Sequence, residues 1–173
     1  PVIMEEDLGW YANAVSALSR DGCADFQLGH FSQQLLFAGE KGRQDFRLYA
    51  NYTCNLINSM ALRALSRMGF VGVQFSLETD QENLSKAMSR WQGSAQSTRA
   101  GTVQCAIGIY VFGRPALFTS RLDDRRYQYS RRFASPRGES FILEQREEMT
   151  QARSVLPFSL LEWRKELESL GPA

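Results

Sequence analysis

The chain has 173 residues, 43% of them hydrophobic and 23% charged, a composition that excludes a disordered tail and suits one compact domain. Its formal net charge of +1 excludes attraction of the whole molecule to nucleic acid or anionic lipid, so any electrostatic function must rest on a local patch. The three cysteines include no C-x-x-C pair, which argues against a disulfide framework and a closed zinc site and favours reduced thiols.

The sequence carries no targeting signal that we can recognise. No apolar run approaches the roughly 20 residues that cross a bilayer, and no cleavable leader is visible. We therefore expect a cytoplasmic protein that has no membrane partner. The sequence begins at Pro1 without a methionine, which suggests a segment of a longer protein.

The predicted elements alternate between strands and helices. Five strands are predicted: PVIM at 1–4, DFQLG at 25–29, FRLYANYT at 46–53, FVGVQFSLE at 70–78 and VQCAIGIYVFG at 103–113. Helical apolar spacing separates them, and Gly22 and Gly69 provide C-terminal stops. Thr79 and Glu82 have the S/T-x-x-E form of a capping box, which predicts a helix start. This alternation indicates parallel βα units, in an open doubly wound sheet or in a barrel.

The pattern changes after Gly113. Residues 114–138 are irregular, residues 139–160 predict a β-hairpin, and LEWRKELESLG at 161–171 predicts a final helix.

Polar residues gather where the predicted strands give way to helices. The carboxyl ends of parallel strands meet at one rim, where residues that bind or react usually lie. The candidates at or just past a strand end are His30, Asn51, Cys54, Asn55, Glu78 and Arg114. The same junctions also hold helix caps, so Asn55 or Asn58 can instead be an N-cap.

The residue types present in the sequence limit the catalytic mechanisms that it can support. The sequence has no G-x-S-x-G elbow, no H-E-x-x-H motif and a single histidine. A thiol mechanism would pair Cys54 with His30, although a lone cysteine is more often a small buried apolar residue. Glu78 is the stronger candidate, as a general base, metal ligand or hydrogen-bond acceptor, with helix capping as the structural alternative. No cofactor site is evident in the sequence.

A basic segment from Arg121 to Arg137 forms a second candidate site. It holds six arginines against two aspartates, a local excess of four positive charges, with aromatic residues interleaved. Guanidinium groups pair with phosphates and aromatic rings stack on unpaired bases, so this composition predicts an RNA surface. The nucleic-acid-binding candidates are Arg125, Arg126, Arg131, Arg132, Tyr127 and Tyr129. Alternatively, the arginines pair with residues 139–168, where seven glutamates accompany four basic side chains.

Two stretches carry a family resemblance. RLYANYTCNLINSMALRALSRMGFVGVQFSLETDQENL at 47–84, followed by IYVFGRPALFTSR at 109–121, resembles the collagenase-like peptidases of unassigned catalytic type, family U, number thirty-two. The matching residues are Asn55 and Asn58 at a helix start, Gly69, Val73, Ser76 and Glu78 in a G-x-x-x-V-x-x-S-x-E strand end, and Gly113, Pro115 and Leu117 in an H-G-x-x-P-L-M-like turn. Phe112 replaces the usual histidine, and the cysteine cluster that binds an iron–sulfur centre in some members is absent from residues 121–138.

The resemblance implies an α/β fold of TIM-barrel-like parallel βα repeats, present here as a partial barrel. We expect a half-barrel over 1–120, with the basic segment, the hairpin and the terminal helix of 121–173 packed on the same domain. The implied activity is that of a hydrolase that cleaves peptide bonds in a collagen-like substrate. With the candidates above, Glu78, His30 and Cys54 would be catalytic, and the residues that bind substrate would be Asn51, Asn55 and Arg114.

Two alternatives remain at this stage. Some relatives take part in hydroxylating ribosomal or transfer RNA, so the resemblance also permits an RNA-binding factor that supports RNA modification. The segment can also be a non-catalytic half-barrel, because five strands leave edges that the missing half of a parent chain or a homodimer partner must cover. The sequence does not decide whether the rest of a longer protein supplies a metal or an iron–sulfur cluster.

Overall fold

The computed structural model describes residues 3–40, 46–95, 105–122, 124–146 and 149–170. The chain divides into two compact units. The first unit comprises the chain up to Tyr110 together with the residues from Leu167 onward, and the second unit is Val111–Glu166.

The first unit contains a four-stranded parallel sheet with helices between its strands. The strands are β1 Asp25–Leu28, β2 Arg47–Ala50, β3 Phe70–Gln74 and β4 Ala106–Gly108. The helices are α1 Leu8–Arg20, α2 Ser59–Arg67 and α3 Gln81–Ala95, and Glu5–Asp7, Phe31–Glu40 and Tyr52–Cys54 form 3₁₀ helices. The strands lie in the order β1-β2-β3-β4, and each neighbouring pair is parallel. The predicted α/β class with a parallel sheet is therefore confirmed.

One face of this sheet packs against the helices and forms the core. Ala50 of β2 and Val73 of β3 are buried together with Leu62, Leu65 and Leu84 of the helices. Leu62 and Leu65 stand three residues apart, which places them on the same side of α2. The period-two alternation of the strands sends the intervening side chains to the opposite face of the sheet.

Several predicted strands differ from the structure. The strand predicted at 46–53 ends at Ala50, before the 3₁₀ helix Tyr52–Cys54, and the strand predicted at 70–78 ends at Gln74. Two others differ more. The first, at 1–4, begins outside the described residues, and Ile3 and Met4 do not form a strand. The last, at 103–113, also begins outside the described residues, and its remainder is divided between β4 and the strand Phe112–Gly113. The division falls where the chain passes from the first unit to the second, after Tyr110.

The second unit is built mainly of antiparallel strands. They are β5 Phe112–Gly113, β6 Ala116–Ser120, β7 Arg132–Ala134, β8 Ser140–Arg146, β9 Met149–Ser154 and β10 Phe158–Ser159. A 3₁₀ turn, Leu161–Trp163, leads into the helix α4 Arg164–Leu170, whose residues from Leu167 onward are assigned to the first unit. Four strands form a sheet in the order β6-β9-β8-β7, while β5 pairs with β10. The predicted hairpin is formed by β8 and β9. The prediction that residues 114–138 are irregular is wrong in part, because β6 and β7 lie in this range and pair with β9 and β8.

Over the described residues, none of the helices has both the length and the apolar character that crossing a membrane requires.

Candidate functional site

The carboxyl ends of β1, β2 and β3 form one continuous rim. The Asn51 N–H donates to the Leu28 carbonyl at 2.9 Å, and Thr53 Oγ1 donates to the Gly29 carbonyl at 2.6 Å. The Ser76 N–H donates to the Leu56 carbonyl at 2.8 Å, which joins the chain after β2 to the chain after β3. The backbone therefore brings together the segments that carry five of the predicted site residues: His30, Asn51, Cys54, Asn55 and Glu78.

The asparagines of this rim shape its backbone. Asn51 Oδ1 accepts from the Thr53 N–H at 2.8 Å and caps the 3₁₀ turn Tyr52–Cys54. Asn55 ends that turn in the left-handed conformation, with φ 56° and ψ 44°, and its side chain is exposed. Asn58 Oδ1 accepts from the N–H groups of Met60 at 3.0 Å and Ala61 at 2.9 Å, so Asn58 is the N-cap of α2.

His30 stands at the start of the 3₁₀ helix Phe31–Glu40. Its Nδ1 lies 2.8 Å from Ser32 Oγ and accepts from the Ser32 N–H at 3.3 Å. The neighbouring N–H groups of Gly29 and His30 donate to Gln33 Oε1 at 2.8 and 3.3 Å. A neutral imidazole that accepts at Nδ1 carries its proton at Nε2, so Nε2–H is the ring's donor.

Cys54 is a half-buried thiol. Its Sγ donates to the Leu28 carbonyl at 3.5 Å. Burial raises the pKa of this thiol above its ordinary value, and a weaker opposing effect comes from a backbone hydrogen bond at Asn51. The thiol is therefore protonated at neutral pH, whereas a nucleophile needs the thiolate. Within the described residues no hydrogen bond joins Cys54 to His30, so this geometry gives no support to the predicted thiol pair.

Glu78 is exposed just beyond the end of β3. Its backbone N–H donates to Ser76 Oγ at 3.3 Å, and its carboxylate makes no hydrogen bond or ion pair to any described residue. The following helix does not use Glu78 as a cap, because Asp80 Oδ1 accepts from the Asn83 N–H at 2.7 Å. Among the predicted rim residues, Glu78 therefore has a carboxylate that the fold leaves available.

The predicted capping box at Thr79 and Glu82 is wrong. Thr79 Oγ1 donates to the Leu56 carbonyl at 3.4 Å, and Glu82 pairs with Lys86 one helical turn later. Asp80 takes the capping position, where it holds both the backbone N–H and, at 2.9 Å, the side-chain amide of Asn83. The motif identified the helix start but not the residue that caps it.

Arg114 belongs to the second unit and its side chain is exposed. Its backbone carbonyl accepts from Arg153 Nη1 at 2.7 Å. Arg153 also donates through Nη2 to Gln151 Oε1 at 2.9 Å, and its Nε lies 3.2 Å from Glu144 Oε2. Arg153 thus fixes the turn that presents Arg114.

The basic segment is only partly neutralised by its neighbours. Arg126 forms a two-pronged pair with Asp124, at 2.9 and 2.7 Å, which lowers the pKa of that carboxyl group. Arg131 donates to Gln128 Oε1 at 2.7 Å. Arg125 and Arg132 are exposed, and neither forms an ion pair with a carboxylate of the described residues.

Glu144 and Tyr129 stabilise the second sheet. Glu144 lies between Arg146, at 3.4 Å, and Arg153 of the same hairpin. Tyr129 Oη lies 2.7 Å from the buried Thr150 Oγ1, and the ring of Tyr129 meets that of Tyr127 edge-on. Glu144 is therefore used within the hairpin, and Tyr129 helps to hold the irregular segment on β9.

A cavity on the open face of the parallel sheet was missed by the sequence reasoning. Its volume is about 250 Å³, and Gln27, Tyr49 and Gln74 are among its lining residues. These polar residues alternate with apolar ones in β1, β2 and β3, and this period-two pattern was the signal that could have revealed a second, solvated face.

Within the described parts of the chain, no three His, Cys, Asp or Glu side chains are grouped to hold a metal ion. Comparison with protein-family models, curated proteins and solved structures gave no match. Function is therefore inferred from residues and geometry.

Proposed function

We propose that the chain is a βα-barrel segment of a collagenase-like peptidase and hydrolyses peptide bonds at the carboxyl rim of its parallel sheet. The observation that carries the proposal is the uninterrupted order β1-β2-β3-β4, parallel throughout. Barrel strands follow one another in chain order, whereas a doubly wound sheet reverses direction at a switch point. The resemblance at residues 47–84 and 109–121 supports the same family.

Glu78 is the general base of the proposed reaction. Its exposed carboxylate accepts a proton from water as the water oxygen attacks the peptide carbonyl carbon. The same proton passes to the amine nitrogen as the C–N bond breaks, which leaves Glu78 ionised for the next cycle. His30 Nε2–H and the amide of Asn55 belong to the same rim and serve as donors to the developing oxyanion.

The activity is tested by incubating the chain with gelatin, a denatured collagen, in ¹⁸O-labelled water. Mass spectrometry is expected to find one labelled oxygen in each new carboxyl terminus, because the attacking oxygen comes from water. The rate should survive a chelator, since Glu78 activates the water in this mechanism. Failure to cleave gelatin and a panel of unrelated denatured proteins would overturn the proposal.

RNA binding by the second unit, in support of RNA modification, is a second candidate. The observation in its favour is that Arg125 and Arg132 are exposed without a carboxylate neighbour in the described residues. Glu144 pairs with Arg146 and Arg153, not with an arginine of the basic segment. This glutamate therefore does not support the alternative in which residues 139–168 neutralise that segment. Guanidinium groups in this state are available to phosphates.

The RNA candidate predicts a salt-dependent affinity for a structured RNA. Replacing Arg125 and Arg132 with Gln should weaken binding and reduce the slope of log K against log salt by about 2, since two phosphate contacts are lost. The control is the Arg67→Gln/Arg90→Gln variant, which removes two exposed arginines from the first unit and should bind like wild type. Equal losses in both variants would indicate general charge attraction and contradict a specific surface.

A further inference from the structure

We infer that the open face of the parallel sheet binds a neutral ligand that carries an amide group. The site is the cavity of about 250 Å³ whose lining residues come from β1, β2, β3 and β4. Gln27 and Tyr49 alternate along their strands with the buried Leu28 and Ala50, which places their side chains on the face opposite the helix-packed core. It is a second site, in the middle of the strands on the face that would line the interior of the proposed barrel, in addition to the reaction proposed at the strand ends.

Small residues give the cavity its depth. Gly72, Ala106 and Gly108 lie on this face, where a closed barrel interior usually holds bulky branched side chains. A Cβ at Gly72 would lie 2.6 Å from Tyr49 Cδ1, and one at Gly108 would lie 3.2 Å from Gln74 Cγ. The glycines therefore let these two longer side chains lie across neighbouring strands and border an open space.

Three of the lining residues carry neutral hydrogen-bonding groups. Gln27 and Tyr49 are directly opposite one another on β1 and β2, and Gln74 is two residues beyond Gly72, the β3 partner of Tyr49. Each glutamine carries an acceptor oxygen and two N–H donors, and the phenol both donates and accepts. None of the three side chains forms a hydrogen bond within the described residues. An amide supplies the complementary donor and acceptor together.

The uncharged side chains that line the cavity disfavour ionic ligands. No charged side chain lines the cavity among the described residues. Arg47 and Asp25, which precede Tyr49 and Gln27 by two positions on the same face, pair with each other across the strands. A charged ligand would therefore lose hydration without gaining a counter-ion, whereas a neutral amide would exchange water for the two carboxamides and the phenol.

The probe for this site is N-acetylglycinamide, titrated into the protein while NMR follows the backbone amide signals of Gly72 and Gly108. We expect saturable shifts with wild type and at least tenfold weaker binding by the Gln27→Leu/Gln74→Leu variant. The matched control, Gln81→Leu/Gln92→Leu, removes two exposed carboxamides from α3 and should bind as wild type does. N-acetylglycine, which replaces the terminal amide with a carboxylate, should bind at least tenfold more weakly than the amide.

Three results would overturn the inference: no saturable shift with wild type, equal affinity in the cavity variant, or a preference for N-acetylglycine. Signal dispersion and the thermal midpoint of each variant report whether it is folded. Because both leucines replace side chains on the solvated face, the cavity variant should retain the wild-type fold.

Discussion

At the scale of single residues, most polar groups of the rim are used to build it. Asn51 and Asn58 accept backbone N–H groups, and His30 Nδ1 does the same at the next junction. The sequence could predict that polar residues meet at this rim, because strand ends recur at regular spacing. It could not distinguish a cap from a ligand, since the same residue types serve both roles and the path of the loop decides between them.

Cys54 provides the first test at this scale. Because burial raises its thiol pKa above the ordinary value of 9.0, the neutral form persists at neutral pH and the reactive thiolate appears only at higher pH. We expect iodoacetamide to label Cys54 slowly below pH 9 in the folded protein and faster in the urea-unfolded chain, as read by peptide mass spectrometry. Cys54→Ala should retain peptide hydrolysis. Loss of hydrolysis in this variant would instead indicate a thiol peptidase.

Gly72 provides a second test. A methyl group there would overlap the Tyr49 ring, so Gly72→Ala should lower the free energy of unfolding by about 1–3 kcal/mol in urea titrations. Gly9→Ala is the control, because a Cβ at Gly9 meets nothing within 4 Å. This glycine lies in α1, so its replacement should stabilise the protein by about 0.5–1 kcal/mol. Equal effects of the two substitutions would contradict the close approach of Tyr49 to β3.

At the scale of elements, the sequence located the helices better than their ends. Apolar spacing predicted α2 and α3, because one face of each must be buried against the sheet. The same spacing predicted an ordinary helix after β1, where the structure has the 3₁₀ helix Phe31–Glu40. Over ten residues the apolar pattern does not distinguish an α-helix from a 3₁₀ helix. The two repeat every 3.6 and 3.0 residues, so the positions of their apolar residues differ little over this length.

The start of α3 gives the test at this scale. Asp80→Ala removes the acceptor of the Asn83 N–H and should lower the free energy of unfolding by about 1 kcal/mol. Glu82→Ala removes only an exposed pair with Lys86 and should cost about 0.2–0.5 kcal/mol. Chemical denaturation of both variants makes the comparison. A larger cost for Glu82→Ala would restore the capping box that the sequence predicted.

At the scale of the whole molecule, composition and alternation predicted a parallel α/β sheet, because repeated βα units admit few other arrangements. The order of the strands depends on contacts between distant residues, and local patterns do not encode it. The resemblance, rather than periodicity, favoured a barrel over a doubly wound sheet. Among the described residues, β1 and β4 form the edges of this sheet, so a complete barrel would need further strands beyond these four.

The most direct test of the proposed peptidase compares two carboxylates four residues apart. Glu78 is exposed at the rim, while Glu82 is equally charged but paired with Lys86 on α3. We expect Glu78→Gln to lower kcat/KM for gelatin by about 10²- to 10⁴-fold, as loss of a general base does, and Glu82→Gln to match wild type. Full activity in Glu78→Gln would contradict the assignment. A concentration-dependent dimer without hydrolysis would contradict the peptidase itself and favour a non-catalytic half-barrel.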